Sequence, residues 1–251
     1  GHGIDNADLN LRLDAHGVNV TGSAEIETMP TEIAWRYNFS KNANFISKYT
    51  LNIDVKDIQR LTKIGVKTEY LPNKFIRGEA KPEISYTILD KDTKRLEVMV
   101  DISNLELFMP AFGWSKKRGQ KGKATFIADL ENDLIADVPA FSLKAPDLSI
   151  NGKANFAFDG SGLEKIEFSQ FSIGRTEMVG ALIPKSNGGW EAGFHGPAFD
   201  LSPIWDEIML EEDPDEDESS FLDRLHLAAE FKKVWLNDTH SLEDLSGTFV
   251  R

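Results

Sequence analysis

The chain has 251 residues, of which 41% are hydrophobic and 27% charged, a composition that excludes a disordered or membrane-embedded protein and fits a soluble, folded one. A net charge of −13 excludes a nucleic-acid binder, which needs a basic stripe to release counterions from phosphates. With no cysteine there is no disulfide scaffold, CxxC zinc site or thiol nucleophile, and no apolar run reaches the roughly 18 residues of a spanning helix.

Gly1-His2-Gly3 reads as a cloning remnant, so the native N-terminus is expected to lie elsewhere. The first clear strand follows the turn Ala15-His16-Gly17: Val18, Val20, Ala24 and Ile26 alternate with Asn19, Thr21, Ser23 and Glu25. A period of two predicts a sheet with one apolar and one wet face. Ile33, Trp35 and Tyr37 continue it. Asp54 then offers an N-cap, with Ile58, Leu61 and Ile64 at helical spacing and Gly65 closing a helix over 54–65. Alternation resumes at Ile84, Tyr86 and Ile88, and after the turn Asp90-Lys91-Asp92 at Val98 and Val100.

A basic loop, Lys116 to Lys123, separates these from Phe126 and Ala128. Further strands carry Phe156 and Phe158, then Ile166 and Phe168. A second helix is predicted over 203–210, with Ser202 as cap and Pro203 at its first position. The acidic stretch 211–219 is expected to be a solvated linker, because like charges at that density repel. Strands return from Leu225 and break off in mid-pattern at Arg251, as a fragment of a longer chain would.

Roughly sixteen to eighteen strands, mostly linked as hairpins, predict an all-β antiparallel meander with two short helices. Asn52-Ile53-Asp54-Val55-Lys56-Asp57-Ile58 aligns with Ala198-Phe199-Asp200-Leu201-Ser202-Pro203-Ile204 without a gap. That suggests repeated units of sheet plus terminal helix. The expected organisation is a first unit over 1–75, a second over 76–210, the linker 211–219, and the start of a third over 220–251. A sheet of more than about ten strands curls or splits. Curled with its apolar side inward, it forms an elongated hydrophobic groove; the competing outcome is a closed β-sandwich whose sheets bury each other.

No enzyme is expected. The five histidines are dispersed, no GxSxG, phosphate-binding glycine loop or HExxH occurs, and nothing singles out a carboxylate pair. Catalytic residues, cofactor and metal are therefore all predicted to be none. The acidic run lacks the mid-loop glycine and bidentate glutamate of a calcium loop. Within the basic loop, Lys116, Lys117, Arg118 and Lys121 are candidates for contact with lipid headgroups or a membrane surface; their plainer role is a charged hairpin tip.

Several stretches in order resemble the AsmA-like proteins of the YhdP branch. They are Gly22-Ser23-Ala24-Glu25 with Met29-Pro30 through Trp35-Arg36, Phe112-Gly113-Trp114-Ser115-Lys116, and Ser142 through Leu148. Phe158-Asp159-Gly160 with Gly174-Arg175-Thr176, Gly196-Pro197 through Pro203, and the tail from Arg224 complete the set. The resemblance implies a bridge-like lipid transporter of a Gram-negative envelope: a periplasmic, β-taco-like, repeat-built groove that passes phospholipid toward the outer membrane. It further implies an inner-membrane anchor preceding the chain and envelope protein partners. The family supplies no catalytic residues, and the acidic run is not one of its hallmarks. Alternation then nominates the lipid-lining positions Ile33, Trp35, Tyr37, Ile84, Tyr86, Ile88, Val98, Val100, Phe126, Ala128, Phe156, Phe158, Ile166 and Phe168. The alternative is a closed β-sandwich acting as an interaction or scaffolding module of an envelope or secreted protein.

Overall fold

A computed structural model describes residues 3–64, 66, 73–157, 162–186, 188–205 and 225–250. In chain order the strands are β1 (Ile4–Asp14), β2 (Gly17–Ile26), β3 (Met29–Asn38), β4 (Ser47–Ile53), β5 (Ile76–Gly78), β6 (Lys81–Ile88), β7 (Thr93–Asp101), β8 (Leu105–Met109) and β9 (Trp114–Lys116). They continue as β10 (Lys123–Glu131), β11 (Leu134–Ala145), β12 (Leu148–Phe156), β13 (Leu163–Ile173), β14 (Thr176–Pro184), β15 (Trp190–Asp200), β16 (Leu225–Trp235) and β17 (Ser241–Val250). The protein is mostly β, as its alternation predicts.

Short polar turns make the hairpins. Asp14 Oδ1 accepts the His16 and Gly17 N–H groups at 2.8 and 3.1 Å, and Asp90 Oδ1 does the same for Asp92 and Thr93 at 2.9 and 2.8 Å. Both are Asx turns, in which a side chain replaces a backbone acceptor. Asn132 and Asp133, at φ 50° and 67°, supply the left-handed pair that a tight two-residue hairpin needs.

The chain forms two compact units, one of residues 1–108 and 115–146 and the other of 109–114 and 147–251. In the first unit the strand order is β1-β2-β3-β4-β6-β7-β10-β11, each pair antiparallel, beside a small sheet β5-β8-β9. In the second the order is β12-β13-β14-β15-β16-β17. There the meander has an exception: β15 and β16 run parallel, from Trp190 opposite Leu225 to Asp200 opposite Trp235.

The first helix is shorter than predicted. Ile58–Ile64 is a 3-10 helix, and the cap is Asp57, whose Oδ1 accepts the Gln59 N–H at 3.1 Å. Asp54 instead pairs with Lys56 at 2.9 Å. Ser202–Ile204 is a 3-10 turn with Pro203 in its first turn, but Ser202 does not cap it. Its hydroxyl donates to Asp200 Oδ1 at 2.6 Å. The remainder of the predicted 203–210 helix and the acidic linker lie outside the described residues.

A buried cluster sits at one end of the first unit, and Ser47, Thr87, Ala128 and Val138 are buried elsewhere in it. Met29, Ile53 and Val55 form a core cluster, with Leu51, Leu61, Ile64 and Ile84 packed against it. The 3-10 helix therefore covers the end of the sheet where β3 begins. β5 lies against that helix, and Leu105 and Leu107 of β8 are buried.

Candidate functional site: an apolar sheet face capped at one end

The ladder register decides which side chains share a face, because directly opposed residues in neighbouring strands point the same way. In the first unit one row runs Leu9, Gly22, Ile33, Leu51, Ile84, Val98, Phe126, Phe141 across all eight strands of the larger sheet. The next runs Leu11, Val20, Trp35, Tyr49, Tyr86, Leu96, Ala128. On the reverse face, Arg12, Asn19, Arg36, Lys48, Thr87, Arg95, Asp129 and Asp137 stand in one row. That face is knitted by polar contacts, among them the two-pronged Arg95–Asp129 pair at 2.6 and 2.9 Å and Arg36 to Asn19 Oδ1 at 2.7 Å.

All ten predicted lining residues of this unit, Ile33, Trp35, Tyr37, Ile84, Tyr86, Ile88, Val98, Val100, Phe126 and Ala128, fall on the apolar face. Eight are half-buried, Tyr37 is exposed, and Ala128 is fully buried and so withdrawn from any guest. Three aromatic rings cross the middle of the face. Trp35 stacks on Tyr49 at 5.9 Å with 11° between planes, and Tyr49 meets Tyr86 at 6.4 Å. The indole N–H of Trp35 donates to Ser47 Oγ at 2.7 Å, so this large side chain leaves no polar atom unpaired.

Alternation also marks Tyr49 and Leu51 in β4 and Phe141 and Leu143 in β11, which complete the rows without having been singled out in the sequence. At Gly22 a Cβ would lie 2.0 Å from the Asp8 carbonyl oxygen, so the row narrows there to let the bulged β1 approach.

The face grades from closed to open. At the helix-capped end Met29 is 0% and Ile53 2% exposed; at the other end Leu13 is 64% and Phe39 50% exposed. Tyr37 is exposed at that end too, and Ile4, Leu9 and Leu11 are exposed because edge strand β1 is exposed along nearly its whole length, the capped end included. Apolar surface left wet is costly, about 25 cal/mol for each Å².

The second unit also carries apolar rows. Ala154, Ile166, Leu182, Ala192, Leu227 and Phe249 form one row, and Gly152, Phe168, Gly180, Phe194, Ala229 and Gly247 the next. A Cβ on Gly180 would lie 2.5 Å from the Phe194 ring, so glycine there makes room for Phe168 and Phe194, whose centroids are 6.2 Å apart. Predicted residues Phe156, Ile166 and Phe168 are half-buried, Phe156 opposing Leu163; Phe158 lies outside the described residues. This unit's cluster of Met178, Phe231 and Val234, with Phe171, Phe194, Phe199 and Leu201, sits toward the end where Arg175, Asp200 and Ser202 meet. Burial raises the Asp200 carboxyl, but hydrogen bonds from Arg175 and Ser202 outweigh it and hold the group below its ordinary value.

In the basic loop the structure removes Lys116 from the headgroup candidates. It is 1% exposed, and its ammonium donates to the Leu105, Ser103 and Lys117 carbonyls at 2.9, 3.0 and 3.3 Å. Burial lowers its pKa, with nearby Asp101 opposing the shift. Arg118 pairs with Glu79 at 2.9 Å, while Lys117 and Lys121 are exposed.

Among the described residues no three His, Asp or Glu side chains gather as a metal site, and no helix is long and apolar enough to cross a membrane. Comparison with protein-family models, curated proteins and solved structures returns no match.

Proposed function

We propose that the apolar face binds hydrocarbon, with acyl chains of phospholipid or a related lipid lying across the half-buried rows and headgroups at the uncapped, hydrated end. The observation that carries this reading is the unbroken row from Leu9 to Phe141, apolar on eight consecutive strands and polar on the reverse. Aliphatic and aromatic side chains offer no directional hydrogen bonds, so a chain can slide along such a track without breaking specific contacts. The capped end stabilises the sheet, leaving the rest of the face free for a guest.

In this reading the face is the wall of a groove, the two units are repeats of one device, and the protein is a periplasmic segment of a bridge-like intermembrane transporter. The ordered resemblance to AsmA-like, YhdP-type proteins supports that assignment, and the inner-membrane anchor and envelope partners follow from it. The test is extraction of detergent-free protein with organic solvent, followed by mass spectrometry. Lipid near stoichiometric amounts is expected; a clean extract, with no uptake of added lipid, returns the protein to the sandwich-like scaffolding class.

A further inference from the structure

A cleft of about 810 Å³ opens in the first unit, and its lining includes Lys81, Asp101, Lys121, Gly122, Lys123 and Lys144. Lys81 opposes Asp101, Asp101 opposes Lys123, and Lys123 opposes Lys144, so three lysines and one aspartate form a single cross-strand row over β6, β7, β10 and β11. The row belongs to the polar face, in register with Glu83, Met99, Thr125 and Ser142. Neighbours in such a row stand about 5 Å apart, and like charges directly opposite destabilise a sheet. Lys123 and Lys144 are such a pair, and Lys121 adds a fourth ammonium from the basic loop.

Two carboxylates, Asp101 within the row and Glu83 in the next, line the same cleft and offset only part of its four positive charges. All four lysines are exposed, and none lies within ion-pair distance of a carboxylate among the described residues, whereas Lys56, Lys94, Arg95, Arg118, Lys153 and Lys165 are all paired. Asp101 accepts the Ser103 N–H at 2.8 Å and keeps its negative charge, held below its ordinary pKa by the hydrogen bonds from Ser103, with Lys116 and Lys81 adding to the effect. The four ammoniums thus face two carboxylates, and the cleft is left net positive. In a chain of net charge −13, four unpaired ammoniums converging on one cleft are a local reversal of sign. The loop that contributes Lys121 is fixed in place: the buried Lys116 ammonium holds the Ser103 and Leu105 carbonyls, and Gly119 N–H donates to Ser103 O at 2.8 Å. Lysines held on rigid strands, with Lys as a compact, strongly hydrated point charge, suit a phosphate group and its high charge density.

We infer that this cleft binds a phosphorylated anion, on the sheet face opposite the one proposed to hold hydrocarbon and independently of it. The phosphate can be that of an anionic lipid headgroup at a bilayer surface or of a soluble phosphate ester. The test compares the wild-type chain with the Lys81→Gln, Lys123→Gln, Lys144→Gln triple variant. A charge-matched control carries Lys41→Gln, Lys63→Gln and Lys91→Gln, at exposed positions of the same unit outside the cleft lining. Two probes are used: inorganic pyrophosphate by calorimetry, and sedimentation with vesicles of phosphatidylglycerol in phosphatidylcholine against phosphatidylcholine alone. Binding is expected to weaken roughly a hundredfold in the cleft variant, about fivefold per lysine, and to persist in the control. Binding to both probes identifies phosphate itself as the determinant; vesicles alone, a lipid surface; pyrophosphate alone, a soluble ester. Binding of neither probe, or binding that the cleft variant retains, overturns the proposal. Vesicle binding that survives in the cleft variant and extends to pure phosphatidylcholine would come from the apolar face, which keeps the two readings distinguishable. Because the substituted lysines are exposed and crowd one another, the variant should melt at or slightly above the wild-type temperature.

Discussion

The two ends of the apolar face in the first unit are built from the same residue types and do opposite things. Where β3 begins, Met29, Ile53 and Val55 are sealed beneath the 3-10 helix. Where β3 ends, Tyr37, Phe39 and the neighbouring Leu13 stand in water. The difference lies in what covers them: seven helical residues and a small sheet at one end and, among the described residues, no such element at the other. The capped end therefore contributes a packed cluster to stability, and the wet apolar surface at the other end is what the proposed function assigns to a guest.

Breaking the capped end should have the largest effect. Met29→Asp places an unpaired carboxylate in a fully buried site and should cost about 4 kcal/mol or more, abolishing the cooperative melt or lowering it steeply in calorimetry. Lys116→Ala leaves three carbonyls without their donor; a loss of about 3 kcal/mol is expected in urea unfolding. In the second unit, Asp200 is held below its ordinary pKa by Arg175 and Ser202 against the opposing effect of burial. Its contribution is therefore complete above the unfolded aspartate value, about 3.9, and is lost as pH falls through the lower folded value. Asp200→Asn should flatten the acid limb of the stability profile and cost about 1–2 kcal/mol at neutral pH, read by thermal melts between acid and neutral buffers. At the open end, Phe39→Ser should change stability by less than about 0.5 kcal/mol. Val98→Asp, in the half-buried middle, should leave the protein folded and remove lipid binding, measured with a fluorescent phospholipid.

Much of this was legible in the sequence. Period-two alternation placed ten residues on one face of the first unit, because a strand's side chains have nowhere else to point. The 3-10 character of Ile58–Ile64 was present too: Ile58, Leu61 and Ile64 recur strictly every third residue, the period of a 3-10 ridge. Lys116 was harder, since charge argues for exposure. Yet it stands two positions after Trp114 in a short strand, on the same side as that buried indole, and only the convergence of three carbonyls pays for hiding it. The lysine row needed the ladder, because Lys81, Lys123 and Lys144 are scattered in the chain and become neighbours only through strand register. The parallel pairing of β15 with β16 had no local signal, as adjacent hairpin-like strands read the same in either direction.

The most direct measurement places a photoreactive amino acid at Phe126 in one variant and at Thr125 in another, neighbours in β10 whose side chains point to opposite faces. After loading with phospholipid and irradiation, mass spectrometry should find acyl adducts at position 126 and none at 125. Equal labelling at both positions, or adducts at neither, would contradict an apolar face that holds hydrocarbon.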